Sequence, residues 1–478
     1  MAIETLSRPP AAAEVRTSPG SRRGLALALL CSVQFMLVLD LTIVNVALPS
    51  IQRDLGVSRE DLQWVISGYA LSFGGFLMLA GRAADLYGRR RFFMLGLAVF
   101  ALASLAGGLS RSGGMLIAAR IVQGFGGAMV SPAALSLLTT TFAEGPARNR
   151  ALAVWGAVAS AGGAVGLLLS GVITDSLGWS WVFFVNVPVG LLAVGLAPLL
   201  LDESRAVGPR PRLDLAGAVT VTLGSLLLVF GLSHVDSVGL LSPQTLLTVG
   251  LAAVVLALFV AIERRVAAPL LPLGILRRRS LTGANVVTLL LTAVIGAQGF
   301  FATFYLQQVL GFSALVTGLA FLPFAIAIMA VSTLGPRLVG RFGTRRLLVV
   351  GMSSIALGML ALVRLPIDGS YLVDLLPAFL LIAVGMGLSF FSATVAATSG
   401  VPDSQQGVAS GLINTSAQVG SALGLAVLIS IGSAVAGAML AAGGVDAVSA
   451  FVGGFHTAHA VGALLAATGA GVAAAAMR

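Results

Sequence analysis

The sequence predicts an all-α protein that crosses a membrane about fourteen times, and three observations carry the prediction. Hydrophobic residues make up 58% of the chain and charged residues only 10%, with a mean hydropathy of +1.02, which is not the balance of a water-soluble protein. About fourteen apolar runs follow one another, each near the ~20 residues that a helix needs to cross a ~30 Å hydrocarbon layer. Arginine gathers in alternate connectors between them, as it does in the cytoplasmic loops of helical membrane proteins.

Residues 1–23 are rich in Pro, Ser, Ala and Arg and suit a disordered cytoplasmic tail. The first apolar run begins near Gly24 and is too long for a signal-peptide core, so it reads as a retained helix. The next runs begin near Leu62, Phe92, Gly113, Ala151, Trp181, Leu213 and Leu246. A connector bearing Arg264, Arg265, Arg277, Arg278 and Arg279 then lies near the middle of the chain, where two halves would meet. Further runs begin near Leu281, Val316, Leu347, Leu376, Val408 and Thr457.

All 28 basic residues other than histidine are arginine. With the N-terminus inside, about 23 of these 28 arginines fall in the tails or inner loops and about four in outer loops, while Arg120 alone lies within a span. An even number of spans returns the C-terminus to the cytoplasm. A net charge of +10 would suggest a nucleic-acid partner in a soluble protein, but this distribution is topological, so none is expected. The absence of lysine beside abundant Ala and Gly points to a bacterium of high genomic GC content. It also rules out a P-loop of the GxxxxGK[ST] type, and with it ATP as an energy source. Cys31 is the sole cysteine, so neither an intrachain disulfide nor a cysteine metal cluster can form. His234, His456 and His459 lie near predicted span ends with no carboxylate grouped beside them, so no metal site is expected.

The connector GRAADLYGRRR, Gly81 to Arg91, is short, charged and punctuated by Gly81 and Gly88, which permit turn geometry. Arg89, Arg90 and Arg91 place it in the cytoplasm. PRLVGRFGTRR repeats it in degraded form. Setting Gly88 on Gly343 puts Arg90 and Arg91 on Arg345 and Arg346, though Asp85 falls on Gly340. The chain therefore reads as internally duplicated.

Charges inside a bilayer are costly and default to function, and the clearest here are Asp40 in the first span and Arg120 in the fourth. At 1.5 Å per residue, Asp40 lies roughly 24 Å from a helix start at Gly24 and Arg120 roughly 10 Å into a helix entering from outside at Gly113. The two depths match, so neighbouring helices would let them pair, either to relay protons or only to orient the helices. In RIVQGFGGA, Arg120, Gln123, Gly124 and Gly127 share one face. The fifth span carries Gly162, Gly163, Gly166, Ser170 and Gly171, whose Gly162xxxGly166xxxSer170 spacing is a helix-packing seam. Asn414, Gln418 and Ser421 share a face of the thirteenth span, and Phe300, Phe304 and Tyr305 end the ninth. These could line a cavity or serve packing and interfacial anchoring.

Together these stretches resemble the major facilitator superfamily, in particular its fourteen-span branch of drug:proton antiporters. LDLTIVNVALPSI, residues 39 to 51, is similar to the first-helix signature of that branch, with Asp40 at its acidic position. GRAADLYGRRR resembles the loop between helices two and three, and RIVQGFGGA the fourth-helix motif. WSWVFFVNVPVG at 179 to 190 and YLQQVLGFSALVTGLAFLP at 305 to 323 resemble further branch-specific stretches. Two departures stand out: Leu167 follows Gly166 where the antiporter motif has proline and Ser170 replaces a glycine, and Ser180 stands where the branch usually carries arginine.

The resemblance implies a major facilitator fold of two six-helix bundles, 24–201 and 280–478, with two additional helices in 202–265 and a cytoplasmic linker at 266–279. It implies a non-enzymatic, proton-coupled exporter of amphipathic compounds or antibiotics, working as a monomer in a bacterial plasma membrane with both termini cytoplasmic. Drug or self-resistance would follow, and the proton gradient would supply energy without any cofactor. Asp40 and Arg120 would couple the proton. Gly81, Asp85, Gly88, Arg89, Arg90 and Arg91 would form a cytoplasmic gate in which Asp85 accepts hydrogen bonds from a helix start in the other bundle. Gln123, Asn414, Gln418, Phe304 and Tyr305 are the cavity candidates. Two alternatives stay open: a proton-coupled importer or a carrier of metabolites or lipids on the same scaffold, and a transport-dead membrane sensor or scaffold.

Overall fold

A computed structural model describes residues 20–142, 145–204, 214–233, 242–266, 269–271, 273–401 and 406–476. Most of the expected N-terminal tail, His234 and parts of the segments flanking the additional helices lie outside the described residues. Thirteen described helices are long and apolar enough to cross a membrane, and a bent pair makes a fourteenth.

The first half comprises α1 (Gly20–Leu55), α2 (Trp64–Tyr87), α3 (Arg89–Gly108), α4 (Gly113–Thr141), α5 (Pro146–Leu177) and α6 (Trp181–Leu200). The additional pair is α7 (Leu215–Ser233) and α8 (Pro243–Glu263). The second half comprises α9 (Arg279–Val309), α10 (Ala314–Phe342), α11 (Thr344–Leu362), α12 (Tyr371–Thr398), α13 (Gln406–Ala442) and α14 (Ala447–Ala476). Each set of six packs as a bundle. The two bundles meet mainly along α2 with α13 and α5 with α10, while α7 and α8 pack on each other, with α7 against α2 and α13.

Helix boundaries follow local chemistry. Gly88 and Gly343 both have positive φ, +120° and +77°, and each turns the chain sharply between two spans, as the sequence repeat predicts. At Gly88 a side chain would also collide with the Glu203 carboxylate, 2.8 Å from an added Cβ. Gly81 behaves differently from the turn expected of it. It lies inside α2, where it admits Pro132 of α4 to 3.2 Å from the position of an added Cβ. Helix α2 bends by 50° between Leu77 and Leu79. The largest boundary difference is at α14, which starts at Ala447 and not near Thr457. Gly453 and Gly454 lie inside this helix, and Gly454 lets α14 meet the α13 backbone at Gly432, so close packing offsets the poor helix propensity of glycine.

Candidate functional site

Asp40 on α1 and Arg120 on α4 are carried to one point by helices that are neighbours in the first bundle. Arg120 Nη1 donates to Asp40 Oδ2 at 2.6 Å, and the two side chains are 2% and 0% exposed. The other carboxylate oxygen, Oδ1, accepts from Gln123 Nε2 at 2.8 Å and from Asn186 Nδ2 at 2.7 Å. Arg120 also donates from Nη1 to Gln123 Oε1 and from Nε to the Val65 carbonyl, both at 2.7 Å. Its guanidinium carbon lies 4.3 Å from the centre of the Tyr69 ring, a cation–π contact in a dry setting. Ser104 completes the network by accepting from Gln123 Nε2 at 2.8 Å. A buried carboxylate persists only when paired and hydrogen-bonded, and Asp40 has three donors.

Arg120 is also part of the wall of a cavity of about 450 Å³ between the bundles, within the range of small-molecule sites. Its polar lining includes Thr42 and Asn45 of α1, Gln298 of α9, and Gln418 and Ser421 of α13, among apolar residues such as Phe321, Phe324, Met386 and Phe390. Its lining toward the arginine-rich ends of the helices includes Met329 and Phe390, 39% and 44% exposed. Its other end is sealed. There Gln307 Nε2 donates to the Val46 carbonyl at 2.9 Å, while the Asp175 carboxylate accepts from the backbone N–H groups of Ala314 at 3.2 Å and Leu315 at 2.9 Å. An anion at the first turn of α10 is favoured by the helix dipole.

The glycine seam of α5 serves both sides. Gly162 and Gly166 face α1, where an added Cβ would stand 3.2 Å and 3.1 Å from the carbonyl oxygens of Phe35 and Leu39. Gly163 and Leu167 line the cavity, and Gly171 meets the start of α10 at Ala314 and Leu315. Ser170 is fully buried. With leucine in place of proline at 167, α5 runs as a single helix of 32 residues.

Of the five cavity candidates, Gln418 is in the wall. Asn414 lies a turn nearer the arginine-rich end, exposed, with its amide donating to the Ser410 carbonyl. Gln123 is behind the wall, bound to Asp40. Phe304 and Tyr305 are buried in the sealed region, Phe304 against Phe300 and Tyr305 donating to the Pro366 carbonyl at 2.6 Å. In the arginine loop, Asp85 accepts from Arg89 Nε at 2.7 Å and not from a helix start of the other bundle in this arrangement. Glu203 accepts from the Arg90 backbone N–H at 3.1 Å, Arg90 Nη1 donates to the Leu201 carbonyl, and the loop thereby docks on the segment that follows α6. Asn186, Ser104, Tyr69 and Glu203 have functional-site contacts that sequence reasoning missed. For Asn186, an amide inside the branch-like stretch WSWVFFVNVPVG was the available signal. Among the described residues, no three His, Cys, Asp or Glu side chains gather as a metal site would require.

The family model of the major facilitator superfamily matches residues 30–425. The chain belongs to the major facilitator superfamily. Among its superfamily relatives are a puromycin resistance protein of Streptomyces alboniger, 40% identical over 96% of this chain and 93% of that protein, and a cephamycin export protein of Amycolatopsis lactamdurans, 43% identical over 87% and 86%. A similar solved structure is a bacterial homologue of the human lysosomal transporter Spinster, in an inward-facing and occupied conformation, with a TM-score of 0.67 at 16% identity, covering 96% of this chain and 97% of that one. That last likeness is one of fold. The chain is thus a multi-pass membrane transporter of the major facilitator fold, and the two bundles around a central cavity are the superfamily's architecture.

Proposed function

We propose that this chain is a proton-coupled exporter of amphipathic organic compounds, antibiotics among them, acting as a monomer in a bacterial plasma membrane with its termini and arginine-rich loops in the cytoplasm. The observation that carries the reading is the placement of Arg120: one residue both lines an apolar cavity and holds a wholly buried carboxylate. A proton reaching Asp40 removes the anion that fixes Arg120, leaving the guanidinium on Gln123 and the Val65 carbonyl and freer to turn toward the cavity. Cargo and proton therefore influence the same residue from opposite sides. Each can then favour a different arrangement of the bundles, which is what exchange requires. The apolar, aromatic lining suits an amphipathic cargo, and the export and resistance roles in the relatives' names support outward movement. No cofactor has a part in the cycle, since the proton gradient supplies the energy.

The test is uphill transport in proteoliposomes with puromycin as the probe. An imposed proton gradient should drive puromycin against its own gradient in the wild type, and an uncoupler should abolish it. In Asp40→Asn, which cannot take up and release a carboxyl proton, uphill movement should be lost while downhill movement persists. Uphill movement by Asp40→Asn would refute the assignment, and movement in the same direction as the protons would identify an importer.

A further inference from the structure

A second buried titratable side chain, in the other bundle, touches the cavity wall through a single amide. His459 of α14 is 1% exposed and stacks on Phe455 with ring centres 3.9 Å apart. Its Nδ1 is 2.7 Å from the Phe455 carbonyl, and its Nε2 is 2.6 Å from Gln298 Oε1. Gln298, on α9, is 3% exposed and lines the cavity. Its Nε2 is buried with no hydrogen-bond partner.

A neutral imidazole has one N–H and one lone pair, so it cannot donate to two oxygen acceptors. Oxygen at both ring nitrogens suits an imidazolium, and the same ring and amide positions suit a neutral ring once the Gln298 amide is turned end for end. When His459 is neutral, with Nδ1–H donating to the Phe455 carbonyl, its Nε2 needs a donor. The Gln298 amide must then turn by half a rotation, giving Nε2–H to the ring and moving Oε1 to the place of the unpartnered nitrogen. An unpaired buried amide donor is costly, and a group on a cavity wall can recover that cost from a cargo. We propose that Gln298 is a cargo-reading residue, and that the protonation of His459 sets whether it offers the cargo an N–H donor or a carbonyl acceptor.

With His459 neutral, the free carbonyl accepts from an amine or hydroxyl of the cargo. With His459 charged, the amide nitrogen takes that place and opposes a donor-bearing cargo, so protonation promotes release. The device rests on the export reading only for the kind of cargo. The surrounding elements leave His459 little other charge to respond to. Helix α13 has no ionisable side chain, α9 has Arg279 at one end and Tyr305 at the other, α11 has Arg345 and Arg346 at its start, and on α14 His456 lies near, its Nε2 2.8 Å from the Leu365 carbonyl.

The chain has three histidines, so nitrogen NMR of the full-length protein in lipid nanodiscs, with 15N-labelled imidazoles, can follow His459 alone once His234→Gln and His456→Gln identify the other two signals. Gln298→Leu should shift the His459 nitrogen resonances and the pH at which they move. Identical His459 spectra in wild type and Gln298→Leu would overturn the pairing. Puromycin binding is then measured across the pH range in which His459 titrates, for wild type and His459→Gln side by side, so that the probe's own ionisation cancels. The ratio of the two affinities should change about fivefold to tenfold, the worth of one hydrogen bond gained or lost. A ratio constant with pH would overturn the reading role even if the spectra show the pairing. Failure of the wild type to bind puromycin at any pH would count against export of such compounds, and the spectra alone would then decide the pairing.

Discussion

Replacing Arg120 by alanine separates a buried, working ion pair from an ornamental one. The substitution removes donors to Asp40 Oδ2, Gln123 Oε1 and the Val65 carbonyl and leaves a wholly buried carboxylate with two amide donors, Gln123 and Asn186. Removing one partner of a buried pair costs about 3–5 kcal/mol, whereas an exposed pair is worth no more than about 1 kcal/mol. Equilibrium unfolding in mixed micelles should therefore show a loss of roughly 3–5 kcal/mol for Arg120→Ala at neutral pH. In the double variant Asp40→Asn/Arg120→Ala the two costs should fall short of their sum by ~2 kcal/mol, as expected for groups in direct contact. Strictly additive costs, or a single-variant loss below about 1 kcal/mol, would refute the argument that the pair is held by charge in a dry site.

Three further outcomes are expected. Cysteines introduced at Ser58 and Ser370, both exposed at the sealed end, should react with an impermeant thiol reagent added outside, and one at Thr344 should not; the native Cys31 is buried and gives a low background. The reverse pattern would invert the proposed orientation. Asp85→Asn breaks a partly exposed i,i+4 pair with Arg89 and should change stability by only about 0.5 kcal/mol, yet impair transport if Asp85 bridges the bundles in the opposite state; wild-type transport by this variant would leave the loop a purely topological role. Asp175→Asn weakens two charge-assisted hydrogen bonds to α10, worth about 1–3 kcal/mol together, and should raise the labelling rate of a cysteine at the buried Thr303 about tenfold, whereas an unchanged rate would show that Asp175 does not hold that end closed.

The fold was legible because the bilayer imposes it. Apolar runs of the required length, separated by arginine-rich turns, leave few architectures open, and the Gly88 and Gly343 repeat marks where successive helices turn. The matching depths of Asp40 and Arg120 also followed from helix rise alone. What could not be read was the company the pair keeps. Asn186 and Ser104 lie on α6 and α3, and only the packing of four helices around one carboxylate reveals that they serve it. Phe304 and Tyr305 illustrate the converse, since an aromatic group at a span end has the same composition whether it lines a cavity or, as here, packs against α14. Glycine was ambiguous for a related reason. Gly88 is required by its backbone conformation, whereas Gly81 and Gly454 sit in regular helix and are required by a neighbour's approach, and sequence alone does not distinguish the two demands.

The position of the ion pair explains how a proton could act at a distance from any gate. Asp40 is tied to α4 through Arg120 and Gln123 and to α6 through Asn186, so its charge fastens three helices of the first bundle together. The same α1 reaches the second bundle at the sealed end, where Val46, less than two turns beyond Asp40, accepts from Gln307, and it meets the α5 seam at Gly166, about two and a half turns before Asp175. A small rotation of α1 on neutralising Asp40 would therefore be felt at both contacts that hold the sealed end together. Closely packed glycine seams transmit such a rotation as a rigid displacement, because they leave no side chain to absorb it. On the proposed cycle, proton binding and opening of the sealed end would in this way be linked through one helix.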